Sequence, residues 1–190
     1  MSLGRRSCSI VLAIITSCMF VGCGDDPPTK EIQQAQQAID SARSAGAERY
    51  AAAEFTAAQD ALNRAQAAVV ANDYRQALND ALDARDRAQT ASRDAVDKKA
   101  TAKTEVDRSL HDAALAIVDA RAKLRTAEAS RRPLRQLVPL RRAVTDAETH
   151  VQEARTAFDK GDYLDAGELL TKTRTRLDDS VRILDTPPRK

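Results

Sequence analysis

The chain has 190 residues, of which 31% are charged, 43% are hydrophobic and 3% are aromatic, and it contains no tryptophan. So few aromatic side chains exclude a thick globular core, and the near balance of 30 basic and 28 acidic residues gives no general nucleic-acid footprint. We therefore expect a thin, elongated body and no nucleic-acid partner.

The first 22 residues have the order of a secretory signal. Arg5 and Arg6 precede an apolar run over residues 10–15, and small residues lead to Cys23. The run is shorter than the roughly 20 apolar residues that a membrane-spanning helix needs, so we expect removal rather than an uncleaved anchor. Removal also takes away Arg5 and Arg6, which leaves a formally neutral mature chain.

The sequence Phe20-Val21-Gly22-Cys23 resembles the lipobox of bacterial lipoproteins. The resemblance implies that the chain is cut before Cys23, whose sulfur then carries a diacylglyceryl group and whose new amine is acylated. Residues 15–18 also fit this pattern, but a cut before Cys18 would leave an apolar tripeptide behind the anchor instead of the polar tether that residues 24–29 provide. Three acyl chains anchor a protein stably. Bacterial lipoproteins with aspartate directly after the cysteine are commonly retained in the inner membrane. Since this chain has Gly24 there, the resemblance implies the outer membrane, with the body facing the periplasm.

The periodicity after residue 30 predicts an all-α fold. Apolar residues alternate at spacings of three and four, which indicates about five helices in elongated antiparallel hairpins or a bundle, packed along coiled-coil-like, alanine-rich seams. The absence of proline and glycine from residue 47 to 132 predicts one long helix over residues 73–130, weakest at 97–105. We expect Pro133 and Pro139 to end it, and Asp162 to cap the last helix.

These elements predict a linear organisation. Residues 1–22 are a signal peptide, 23–29 the lipidated cysteine and tether, 30–130 a three-helix region, 131–185 a C-terminal helical hairpin, and 186–190 a tail.

An internal repeat is visible, because the alanine, Asp-Tyr and alanine pattern of residues 65–77 recurs at 154–166, with Gly161 at the position that corresponds to Asn72. The repeat indicates two related hairpins in tandem.

The segment Gly-Ala-Glu-Arg-Tyr-Ala at residues 46–51, followed by Phe55, Asp73-Tyr74 and Ala77, resembles the alanine-rich envelope lipoproteins of domain of unknown function 4398. The resemblance covers about residues 30–105. The family commonly has proline after the Tyr-Ala pair, where this chain has Ala52. The resemblance implies a cell-envelope location and a helical shape, but no activity.

Residues suited to catalysis or metal binding are sparse. His111 and His150 have no second histidine or cysteine at ligand spacing, so we expect both on helix surfaces and expect no metal site. Adjacent carboxylates, as at Asp178 and Asp179, diverge on a helix rather than converge as an acid and base pair. We therefore expect no enzyme and no cofactor.

One basic patch stands out. Its two prolines, Pro133 and Pro139, place it at a loop, and its members are Arg131, Arg132, Arg135, Arg141 and Arg142. It is interpreted either as a solvated connector or as a binding site for an anionic partner such as lipid headgroups or an acidic protein surface.

The sequence as a whole predicts a non-catalytic, lipid-anchored periplasmic spacer or adaptor that mediates protein-protein contacts in the cell envelope. Its partner is an envelope protein or a second copy of the chain. The alternative is an envelope-maintenance role through direct binding to peptidoglycan.

Overall fold

The computed structural model describes residues 26–186, which fold entirely into helices and short turns. The all-α prediction is confirmed, with six helices in this range instead of about five. The sixth is the single turn α2, which forms where Gly46 adopts a left-handed backbone conformation at φ 89°. The helices are α1 Thr29–Ser44, α2 Ala47–Tyr50, α3 Ala52–Val70, α4 Tyr74–Ala129, α5 Leu134–Lys160 and α6 Tyr163–Asp185.

The helices build two separate hydrophobic cores. The first joins α1, α2, α3 and the beginning of α4, and it is dominated by fully buried alanines around the larger side chains of Ile39, Phe55 and Leu62. The second joins the end of α4 to α5 and α6 around larger aliphatic residues such as Leu140 and Leu170. Because alanine has only a methyl group, the first core is thinner than the second.

Helix α4 is continuous and belongs to both cores. Its 56 residues span about 84 Å at 1.5 Å per residue, which confirms the predicted long helix. Short turns make α3 antiparallel to α4 and α1 antiparallel to α3. In the same way, α5 is antiparallel to the end of α4, and α6 is antiparallel to α5. The protein is therefore a rod of two antiparallel three-helix bundles, in which α4 is the third helix of one and the first of the other.

Residues 96–105 form a waist between the two cores. Every side chain there is exposed except Ala102, which is half-buried. Helix propensity and the backbone hydrogen bonds of α4 hold this stretch helical without a core.

The internal repeat has a structural counterpart in the turns. Asn72 and Gly161 are both in the left-handed conformation, at φ 59° and 85°. In each turn the next residue donates its backbone N–H five residues back, from Asp73 to Ala68 and from Asp162 to Ala157, at 2.9 Å in both cases. This bond pattern closes the preceding helix and reverses the chain.

Two predictions about helix ends were wrong. Pro139 lies inside α5 and does not end a helix, because Leu137 and Leu140 on either side of it are buried in the second core and hold the segment helical. Asp162 makes no capping hydrogen bond to α6. Its carboxylate instead accepts a hydrogen bond from the guanidinium of Arg49 at 3.1 Å.

The two repeated turns provide a matched pair of aspartates for measuring how much a helix cap contributes to stability. Asp73 accepts a hydrogen bond from the backbone N–H of Gln76 at 3.0 Å, so Asp73→Ala is expected to lower the free energy of unfolding by about 1 kcal/mol. Asp162→Ala removes no cap and loses only an exposed ion pair, which is worth roughly 0–1 kcal/mol. Denaturant titration of both variants checks this, and a larger loss for Asp162→Ala would contradict it.

Candidate functional site

The predicted lipidation site, Cys23, lies outside the described residues, which begin three positions later at Asp26. Helix α1 begins at Thr29, six residues after Cys23, and an extended chain of that length reaches at most about 22 Å. Because α1 runs parallel to α4, an anchor at Cys23 would attach the rod at its first bundle. Within residues 26–186, no helix is long and apolar enough to cross a bilayer.

The five predicted arginines lie at the opposite end of the rod, and only part of the patch is a loop. Arg131 and Arg132 occupy the turn between α4 and α5, with Arg131 in the left-handed conformation at φ 52°. Arg135, Arg141 and Arg142 lie on α5, which corrects the prediction of a loop extending to Pro139. The patch therefore has a turn and a rigid helical part.

Two of the five arginines stabilise this end of the fold. Arg132 donates a hydrogen bond to the backbone carbonyl of Leu184 and so ties the turn to the end of α6. Arg141 forms an ion pair with Glu128 and so joins α5 to α4. Both contacts hold the three helix ends together.

The other three arginines make no salt bridge within the part of the chain that the structure describes: Arg131, Arg135 and Arg142. Two apolar side chains share their surface, since Leu134 is 70% exposed and Val138 is 54% exposed. Sequence reasoning missed both residues. The signal for Val138 was that it falls between the seam positions Leu137 and Leu140, so that a helix burying that seam turns it outward. Leu134 precedes the seam, at the exposed start of α5.

A groove between α5 and α6 has a volume of about 520 Å³ and contains His150 and Arg142. His150 Nδ1 lies 3.1 Å from the hydroxyl of Thr173, which itself donates to the carbonyl of Leu169 at 2.7 Å. Since a hydroxyl has one hydrogen, Nδ1 donates to the Thr173 oxygen. His150 is thus half-buried in a groove, whereas His111 is exposed as expected.

A second groove, between α4 and α6, has a volume of about 610 Å³ and is lined by Leu115, Leu177 and Val181 among charged residues. Leu115 is 52% exposed, and Val118, one turn further along α4, is also exposed. By contrast, the alanine seam of α4 is closed inside the first core. On the second bundle, Leu115 and Val118 therefore provide apolar surface beside this groove.

The two bundles touch where their turns meet beside the waist. Arg49 of α2 donates to Asp162 at 3.1 Å and to Asp165 at 2.8 Å. Beside it, the hydroxyl of Tyr50 is buried without a hydrogen-bond partner among the described residues, and its burial raises the pKa of this phenol above its ordinary value. This junction opposes bending at the waist.

No cluster of three or more histidine, cysteine, aspartate or glutamate side chains suited to a metal ion occurs within residues 26–186. The candidate binding surfaces are the basic end of the rod, the exposed apolar side chains of Leu115 and Val118, and the two grooves.

The fold and its surfaces define the protein as an all-α rod of two three-helix bundles that share one helix. The model of the family "Domain of unknown function (DUF4398)" matches residues 30–109, which confirms the resemblance seen in the sequence. The match takes in the first bundle, the waist and the first residues of the second bundle. No curated protein and no solved structure shows a significant match to the chain.

Proposed function

We propose that this protein is a non-catalytic, lipid-anchored periplasmic spacer and adaptor that holds its second bundle at a distance from the outer membrane for contact with another envelope protein. The observation that carries the proposal is the continuous helix α4, which passes through two separate cores. A helix packed along most of its length into two bundles resists bending, so it maintains a distance.

The anchor and the presented surface lie in different bundles. The chain between Cys23 and α1 is too short to reach the second bundle, which carries the exposed apolar side chains of Leu115 and Val118. An apolar strip on a helix is the kind of surface into which a partner helix packs. The spacer therefore presents a candidate docking surface away from its attachment point.

Site-specific photo-cross-linking in cells tests the adaptor. We expect a photoreactive residue at Leu115 or Val118 to give one discrete adduct with an envelope protein or with a second copy of the chain. Val70 is the matched control, because it is exposed and aliphatic but lies on the first bundle. No adduct at Leu115 and Val118, together with a monomeric isolated body, would refute the proposal.

The alternative of direct peptidoglycan binding is tested by sedimentation of the unlipidated body, residues 24–190, with purified sacculi. Saturable co-sedimentation would favour this alternative over the adaptor. Its absence, with a discrete adduct at Leu115, would leave the adaptor as the function.

A further inference from the structure

We propose that the basic end of the rod is a second membrane-contact site, which binds the headgroup surface of anionic phospholipids. Its residues are Arg131, Arg135 and Arg142 with Leu134 and Val138, and we call this surface the distal tip. The idea that this contact is the second one rests on the lipid-anchored spacer proposed above. Binding of the distal tip to lipid is tested separately, on the chain without its own lipid anchor.

Charge is distributed unevenly along the rod. Among the described residues, 26–97 contain eight basic and twelve acidic residues, a net charge of −4, whereas 98–186 contain eighteen basic and fifteen acidic residues, a net charge of +3. The excess is concentrated at the distal tip, since residues 121–142 contain eight basic residues and one acid, Glu128. The formally neutral mature chain is therefore strongly dipolar, and its positive end attracts anions.

The distal tip has free charge. Glu128 is already paired with Arg141, and Arg132 is engaged by a backbone carbonyl, whereas the other three arginines have no carboxylate partner within residues 26–186. Three unpaired guanidinium groups on a firmly packed turn and helix can each bind phosphate oxygens in the planar, two-pronged geometry that arginine favours.

The apolar residues decide between a lipid surface and a purely polar anion. At 100° per residue, the side chains of Leu134, Val138, Arg142 and Arg135 fall within an arc of about 100° on α5, on the side away from the buried Leu137 and Leu140. Arginines interleaved with protruding aliphatic side chains match a membrane interface, where cations meet headgroups and apolar groups enter the acyl boundary. A polyanion that carries only carboxylates has no apolar layer into which the side chain of Leu134 could insert.

The first acid of α5 marks the limit of this surface. Asp146 lies one turn beyond Arg142, just outside the arc and toward the middle of the rod, and it lines the groove between α5 and α6 together with Asp179. The basic and apolar surface is therefore confined to the turn and the first turns of α5, which agrees with contact by an end rather than by the side of the rod.

Vesicle co-sedimentation of residues 24–190 tests the proposal. We expect binding to vesicles of phosphatidylcholine mixed with phosphatidylglycerol, no binding to phosphatidylcholine alone, and weakening with added salt because charges exposed to solvent are screened. Replacing Arg131, Arg135 and Arg142 together by glutamine is expected to weaken binding roughly a hundredfold, at about fivefold per arginine. Leu134→Ser, at an exposed position, is expected to weaken binding without changing the thermal midpoint.

The matched control removes three exposed arginines elsewhere on the rod, as Arg75→Gln, Arg93→Gln and Arg155→Gln. It changes the net charge equally, so unchanged binding localises the effect to the distal tip, whereas an equal loss in both triple variants would overturn the proposal. Salt-sensitive dimerisation without vesicle binding would overturn it too, by showing that the distal tip pairs with the acidic half of a second copy. A negative result in the vesicle experiment does not affect the photo-cross-linking test of the adaptor, so the two proposals can fail separately.

Discussion

Replacing Cys23 with serine is expected to release the protein from membranes washed at high salt, which screens the remaining contact of the distal tip. A serine hydroxyl cannot form the thioether that carries the diacylglyceryl group, and each buried methylene of an acyl chain contributes about 0.8 kcal/mol to membrane attachment. The loss of three chains therefore changes the distribution between membrane and soluble fractions by many orders of magnitude. Intact mass spectrometry of membrane-extracted wild-type protein, which should begin at triacylated Cys23, measures the same feature directly.

Cys18→Ser is the control for this experiment, because Cys18 ends the other sequence that fits the lipobox pattern. We expect it to leave the mass and the membrane fraction unchanged. A wild-type mass that still includes residues 1–22 would contradict lipidation at Cys23 and would indicate an uncleaved anchor instead.

Replacing Leu140 with alanine is expected to destabilise the second bundle by about 2–5 kcal/mol and to leave the first bundle nearly unchanged. Leu140 is fully buried, so its truncation loses apolar contact and opens a cavity. Because the two cores have no residue in common and are separated by the exposed waist, the loss should be local. Hydrogen exchange measured on peptides is expected to speed up in α6 and not in α3.

Leu115→Ala is the matched control, since it makes the same substitution at a half-exposed position of the same bundle. We expect it to cost less than about 1 kcal/mol, as surface substitutions usually do. Faster exchange in α3 as well as α6 after Leu140→Ala would show that the contacts of Arg49 with Asp162 and Asp165 couple the bundles into one cooperative unit.

The helical fold was predictable because its causes are local. The alternation of apolar residues at three and four, the absence of proline and glycine over residues 47–132, and the turn at Asn72 each act over a few neighbouring residues. The same holds for the matching turn at Gly161. Such signals predict which residues are helical and which face is apolar, and here they also predicted the length of α4.

The partners of individual side chains were less predictable, because they depend on residues distant in the chain. Asp162 has the sequence context of a helix cap, yet it pairs with Arg49, which is 113 positions away. Pro139 has the composition of a helix breaker, yet buried neighbours keep it within α5. For Pro139, burial of its neighbours outweighs a local preference of about 3 kcal/mol. For Asp162, an ion pair of comparable strength takes the place of a cap worth about 1 kcal/mol.

The basic patch was also only partly predictable from the sequence. Its five arginines are visible in the sequence, but only the packing of α4, α5 and α6 separates Arg132 and Arg141, which stabilise the fold, from the three that stay without an ion-pair partner among the described residues. Packing also turns Leu134 and Val138 outward beside them, because the core accepts one face of α5.

By itself, the sequence determined the helical content, the alanine-rich seams, the long α4 and the turns at Asn72 and Gly161, since these follow from periodicity and backbone preference within short windows. The tertiary structure alone decided that the seams close into two cores with an exposed waist between them, and that the first bundle and the basic distal tip lie at opposite ends of one rod. The reason is that helix direction and packing partners depend on the whole chain, whereas helix formation depends on near neighbours.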